Sequence, residues 1–125
     1  MNCLLDSHVL LWWLGMDSDK LSAAVRDVIA KAEQVYVSVA SVWELEIKRS
    51  VGKLDLPAAD WESVSASGLI FIEIALDDAV AAAALPPIHR DPFDRMLVAQ
   101  ARNRGLTLVT RDARLVDYGV AILKA

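Results

Sequence analysis

The chain alternates short apolar runs with longer stretches whose apolar positions recur at helical spacing. The runs at 3–5, 35–37, 69–74, 106–109 and 120–123 are rich in Val, Ile and Leu. Short segments of this kind suit strands buried on both faces of a parallel sheet. Between them the pattern predicts helices at 9–14, 23–33, 42–53, 58–66, 77–85 and 92–104. Ser22 offers an N-cap to the second helix, and Gly52 and Pro57 punctuate the turn after the third. Pro86 and Pro87 close the fifth helix, and Gly105 stops the last. Strand–helix–strand alternation of this regularity predicts an α/β sandwich, with residues 1–125 forming one domain.

Composition narrows the possible chemistry. A chain of 125 residues can bury a sizeable core without staples, and its lone Cys3 excludes a disulfide framework or a cysteine-based zinc site. The first residues lack a basic region and Asp6 interrupts them, so no signal peptide is expected and the reducing cytoplasm is the expected compartment. The longest apolar run, 9–16, is far below the ~18 residues of a membrane span. A net charge of -4 argues against indiscriminate nucleic-acid binding, which would need metal ions or a local basic patch. The 55% apolar content and mean hydropathy of +0.35 imply an Ala/Val/Leu-rich core or an apolar surface covered by a second copy or a partner. Six acids and no base lie between Asp55 and Asp78, whereas six arginines and three aspartates lie between His89 and Arg114. Such segments form solvated helix faces, or the second forms a basic rim around an acidic site.

Ligands of open parallel sheets bind beyond the carboxyl ends of the strands. Asp6 directly follows the first predicted strand, and Asp112 follows the fourth by three residues. Each can serve as a helix cap, or both can face a ligand from the same edge. Ser41 and Glu44 fit a capping box, but Glu44 also shares a helical face with Ala40, Trp43, Ile47 and Val51. A carboxylate on such a face needs a cation, and Lys48 stands one turn on. Asp91, before Pro92, reads as an N-cap, while Asp94 shares the inward face with Leu97, Val98 and Ala101. Four convergent acids (Asp6, Glu44, Asp94 and Asp112) would repel unless cations paired them, and an all-oxygen set selects Mg²⁺ or Mn²⁺ over Zn²⁺. Phosphate-loop, dinucleotide-loop and nucleophile-elbow patterns are all missing, and His8 and His89 are the only histidines.

Four segments in order, LLDSHVLLWWL, SVASVWELEIKRSVGKL, HRDPFDRMLVAQA and LTLVTRDARLVDYGV, resemble PIN-domain ribonucleases of the VapC toxin type over essentially the whole chain. The resemblance implies a PIN-like three-layer α/β/α sandwich with a central, mainly parallel sheet. It implies an endoribonuclease dependent on Mg²⁺ or Mn²⁺, with Asp6, Glu44, Asp94 and Asp112 as the metal-binding and catalytic acids. Thr110 and Asp91 are supporting candidates, and Arg90, Arg95 and Arg111 are candidates to touch RNA. A homodimer and a cognate antitoxin are also implied. Arg114 stands where some PIN enzymes carry a further acid, and Ser7 where many relatives have Thr. The all-apolar stretch 9–14 carries Trp12 and Trp13, which either enter the core or help form a groove for an antitoxin segment.

Two other classes compete. A receiver-like phosphoacceptor domain needs an acidic pair after its first strand and an Asp ending its central strand. The chain has only Asp6 at the first place and Ile74, Ala75 and Leu76 at the second. A non-catalytic interaction module would make the same four acids purely structural.

Overall fold

The computed structural model describes residues 1–55 and 60–125. Five strands, β1 (Asn2–Leu5), β2 (Gln34–Ser38), β3 (Leu69–Ile72), β4 (Thr107–Thr110) and β5 (Ile122–Lys124), form one sheet in the order β3-β2-β1-β4-β5. Every pairing is parallel, so the sheet is wholly parallel. The helices are α1 (Ser7–Trp13), α2 (Ala23–Lys31), α3 (Val39–Ser50), α4 (Trp61–Ala66), α5 (Leu76–Ala84) and α6 (Pro92–Arg104). Two 3₁₀ turns, Ser18–Lys20 and Ala113–Tyr118, complete the described elements. Pro57 and the first residues of the helix expected at 58–66 lie outside the described residues.

The strands alternate as a two-sided sheet requires. Cys3, Leu5, Val37 and Val109 join one core with Val9, Leu10, Val25 and Ile29 of α1 and α2. Leu4 and Leu108 point the other way, against Leu97, Val98 and Ala101 of α6 and Leu115 of the second 3₁₀ turn. Two cores flanking one sheet make the three-layer sandwich. The all-apolar stretch at 9–14 is largely absorbed here, since Val9 to Trp12 are buried and only Leu14 stands exposed.

Helix α3 departs from expectation in its start and its facing. It begins at Val39, three residues earlier than predicted, because the Ser38 hydroxyl caps it by accepting the Ala40 N–H at 3.0 Å. Ser41 is therefore a buried residue inside the helix, not the cap of a box with Glu44. The helix packs through Ala40, Ser41 and Leu45, leaving Trp43 59% and Val51 61% exposed. Two apolar stripes were available, Val42 with Leu45 and Trp43 with Ile47 and Val51, and periodicity alone does not choose between them. Trp43 instead meets Phe93 of α6 edge-on, ring centres 5.2 Å apart.

Helix α6 is clamped to the loop before it by Arg95. Its guanidinium donates to the carbonyls of Ala82 (2.9 Å), Leu85 (2.8 Å) and Pro86 (2.9 Å). Those bonds tie the start of α6 to backbone carbonyls at and just beyond the C-terminal end of α5. Behind them, Asp78 of α5 is 1% exposed and paired with Arg104 of α6. The acid-rich and arginine-rich segments thus meet partly through this internal pair.

Candidate active site

The sheet order reverses direction between β1 and β4, which makes their carboxyl ends the place where such sheets bind ligands. Asp6 N–H bonds to the Val109 carbonyl at 3.1 Å, holding the two strand ends together. A cavity of about 520 Å³ opens there, and Asp6, Glu44, Asp94 and Asp112 all line it.

Each acid is fixed by local structure. Asp6 caps α1 by accepting the Val9 N–H at 2.8 Å, and the Thr110 hydroxyl also bonds to its carboxylate. Thr110 in turn accepts the Asp112 N–H at 3.0 Å, so one buried hydroxyl ties both strand ends to their acids. Glu44 is reached by Ser7 Oγ at 2.5 Å and by Lys48 Nζ at 3.4 Å. Asp91 caps α6, accepting the N–H groups of Phe93 (2.8 Å) and Asp94 (3.1 Å), which leaves Asp94 in the first helical turn facing the cavity.

The charges are unevenly matched. Asp112 is fully engaged: Oδ1 accepts Arg114 Nε at 3.0 Å, and Oδ2 accepts Arg114 Nη2 at 2.8 Å and His89 Nε2 at 2.8 Å. The Arg114 guanidinium, helped by His89, holds this carboxyl well below the usual carboxylate range. Asp94 is the opposite case. Burial and the neighbouring carboxylate of Asp91, with Asp6 and Glu44 beyond, push it up to about 7, against a smaller opposing effect from His89. Burial likewise raises Asp6, with the Thr110 and Val9 bonds in partial opposition. The site is short of positive charge on the Asp6 and Asp94 side.

His89 comes close enough to be a ligand itself, since one atom each of His89, Asp94 and Asp112 lie within 4.8 Å of one another. Its bonding argues for another role. Nδ1 accepts the Asp91 N–H at 3.0 Å, which leaves the ring proton on Nε2 to be donated to Asp112. The histidine therefore orients Asp112, and its Nε2 also stands 3.4 Å from Asp94 Oδ2 and 3.0 Å from Arg114 Nη2, which crowds it against a metal ion.

The expected arginine rim is only partly present. Arg111 and Arg114 line the cavity, Arg90 is exposed but does not, and Arg95 is spent on the carbonyls at the end of α5. Arg95 is therefore a structural clamp, because its guanidinium N–H groups are already bonded to carbonyls away from the cavity. Lys20 and Lys48 supply the missing basic groups. No local pattern marks Lys20 for this role, because it arrives from the turn after α1. The described residues contain no helix long and apolar enough to cross a membrane.

Comparison with known proteins places this geometry in a family. The PIN domain model matches residues 3–121, and the chain belongs to the PIN-domain family. It is 35% identical over 118 residues to Ribonuclease VapC22 of Mycobacterium tuberculosis, covering 92% of this chain and 90% of that protein. VapBC2 from Rickettsia felis, solved with a promoter DNA fragment, matches with a TM-score of 0.73 at 14% identity, covering 99% of this chain and 98% of that one. DNA-bound VapBC from Salmonella typhimurium matches with a TM-score of 0.72 at 18% identity, with the same coverage. At these identities the two structures speak for the fold.

Proposed function

We propose that the protein is an endoribonuclease, the toxin of a toxin–antitoxin pair, acting in the cytoplasm with Mg²⁺ or Mn²⁺ as cofactor. The observation that carries this reading is a pair of carboxylates, the buried Asp6 and the half-buried Asp94, that pair with no lysine or arginine among the described residues, Asp94 having His89 Nε2 at 3.4 Å as its basic neighbour. The VapC22 relative is named a ribonuclease, and the structural neighbours are VapBC assemblies.

The donor set fits a hard divalent cation: all the acids offer oxygen, and the two unpaired negative charges equal the charge of one such ion. Asp6, Glu44, Asp94 and Asp112 would hold it; Asp94 and Asp112 bring carboxylate oxygens within 4.8 Å of one another, Asp112 keeping its Arg114 counter-charge. A cation there would supply Lewis-acid stabilisation of a phosphate and a lowered pKa for attacking water. Ser7 and Lys48 keep Glu44 aimed into the cavity, Thr110 keeps Asp6, and His89 keeps Asp112. Lys20, Arg111 and Arg114 attract the RNA backbone despite the acidic net charge. The side chains left exposed, Trp43 and Val51 on α3 and Leu76 and Val80 on α5, support cover by a second copy and by the antitoxin.

Both histidines line the cavity, which invites comparison with 2′-hydroxyl chemistry by an acid–base pair. With both ring nitrogens of His89 engaged, that route lacks one partner. Water therefore adds to phosphorus and the 3′-oxygen leaves with a proton. The test is incubation of the purified protein with total RNA and Mg²⁺, followed by sequencing of new ends. The expected products carry 5′-phosphate and 3′-hydroxyl groups and vanish in EDTA. Cyclic 2′,3′-phosphate ends formed equally well in EDTA would overturn this reading.

A further inference from the structure

Beside the catalytic cavity lies a second depression of about 320 Å³. His8, Trp12, Lys20 and Lys48 line both, so they form the wall the two share. The floor of the second is apolar, made by Leu11, Leu45, Met16 and Leu54, the first two buried and the others half-buried. Its rim carries Lys20, Lys48 and Lys53; Asp17 pairs with Lys20 at 3.7 Å, and Glu44 of the catalytic cavity pairs with Lys48 at 3.4 Å. The exposed His8 ring lies on Trp12 in a stacked arrangement, centres 6.1 Å apart and planes 26° from parallel.

We propose that this depression is a subsite for one unpaired nucleotide of the RNA, next to the phosphate that enters the catalytic cavity. An apolar floor and an exposed aromatic ring accept a base, which stacks with little regard to its identity. The lysines at the rim accept the phosphates on either side of it. A paired base is already stacked within its helix, so the subsite selects single-stranded segments, loops and bulges. Continuity with the cavity that takes the phosphate, and a rim on which Lys53 pairs with no acid among the described residues, favour a polyanion over an apolar polypeptide as occupant.

The inference rests on the RNA reading but is tested apart from cleavage. Binding of a single-stranded RNA of about 12 nucleotides is measured in EDTA, beside a duplex of the same sequence. The wild-type chain is expected to prefer the single strand. Lys53→Glu, which touches only the second depression, and His8→Ala are each expected to weaken binding about tenfold, since one stacked base or one rim charge is worth roughly that. Lys53→Gln, with a smaller expected loss, guards against a folding defect. Equal affinity for strand and duplex overturns the proposal. So does wild-type affinity in both Lys53→Glu and His8→Ala, which would leave the depression to a polypeptide segment. If the chain binds RNA as described but cuts none with Mg²⁺, the nuclease reading falls and the subsite stands.

Discussion

Asp94→Asn is expected to lower RNA cleavage by on the order of 10²-fold or more, whereas Asp91→Asn leaves it within a few-fold. The two aspartates stand three apart at the start of α6 and do different work. Asp91 accepts two backbone N–H groups as the helix cap, and asparagine caps about as well. Asp94 faces the cavity among Asp6, Asp91 and Glu44, where an uncharged amide keeps the shape but removes charge that a cation requires. Cleavage assays on both variants, with circular dichroism to confirm folding, check this. The reverse ranking would mean that the helix cap, not Asp94, serves the reaction.

Asp78→Ala is expected to cost about 2 kcal/mol, because it leaves the Ala75 N–H and the Arg104 guanidinium, which is only 30% exposed, without their acceptor. Its carboxylate accepts Arg104 Nη1 at 2.7 Å and Nη2 at 2.9 Å, and the Ala75 N–H at 2.9 Å. For a chain of this size the melting temperature should fall by on the order of 10 °C. The pH dependence of the metal-free protein separates this acid from those of the cavity. Asp78 and Asp112 sit below their ordinary range, so what they contribute is present at neutral pH and lost in acid, below about pH 4. Asp94 is raised to about 7, so the folded chain takes up its proton before the unfolded one does. Stability in EDTA should therefore rise as pH falls from 8 toward 5 and decline below 4, and Asp94→Asn should reduce the rise to the part that Asp6 contributes. A melting temperature that stays flat from pH 8 to 5 in the wild type would contradict the charge shortage deduced for the cavity.

Much of this was legible in the order of residues. The five apolar runs became the five strands with shifts of one or two residues, since runs this short and rich in Val, Ile and Leu suit strands of a parallel sheet. Asp6 and Asp112 lie at strand ends by sequence position alone, and the parallel topology brings those ends together. The facing of α3 was not legible, because its two apolar stripes compete: the fold buries Leu45 and leaves Trp43 59% exposed, edge-on to Phe93 of α6. Nor was the duty of the arginines. Charge on a helix does not say whether it meets solvent, carbonyls as Arg95 does, or a carboxylate as Arg104 and Arg114 do. His89 shows a similar limit, since only a backbone N–H contributed by Asp91 fixes its proton.

Titration of the metal-free protein with Mn²⁺, followed by calorimetry and by melting temperature, tests most directly whether the unpaired carboxylates form a cation site. Lys48 and Arg114 already balance the charges of Glu44 and Asp112, which leaves those of Asp6 and Asp94 for an ion held among the four to match. The expected result is one Mn²⁺ per chain, a melting temperature that climbs with ion concentration, and loss of both in Asp94→Asn. Failure of the wild-type protein to bind Mn²⁺, or binding undiminished in Asp94→Asn, would contradict it.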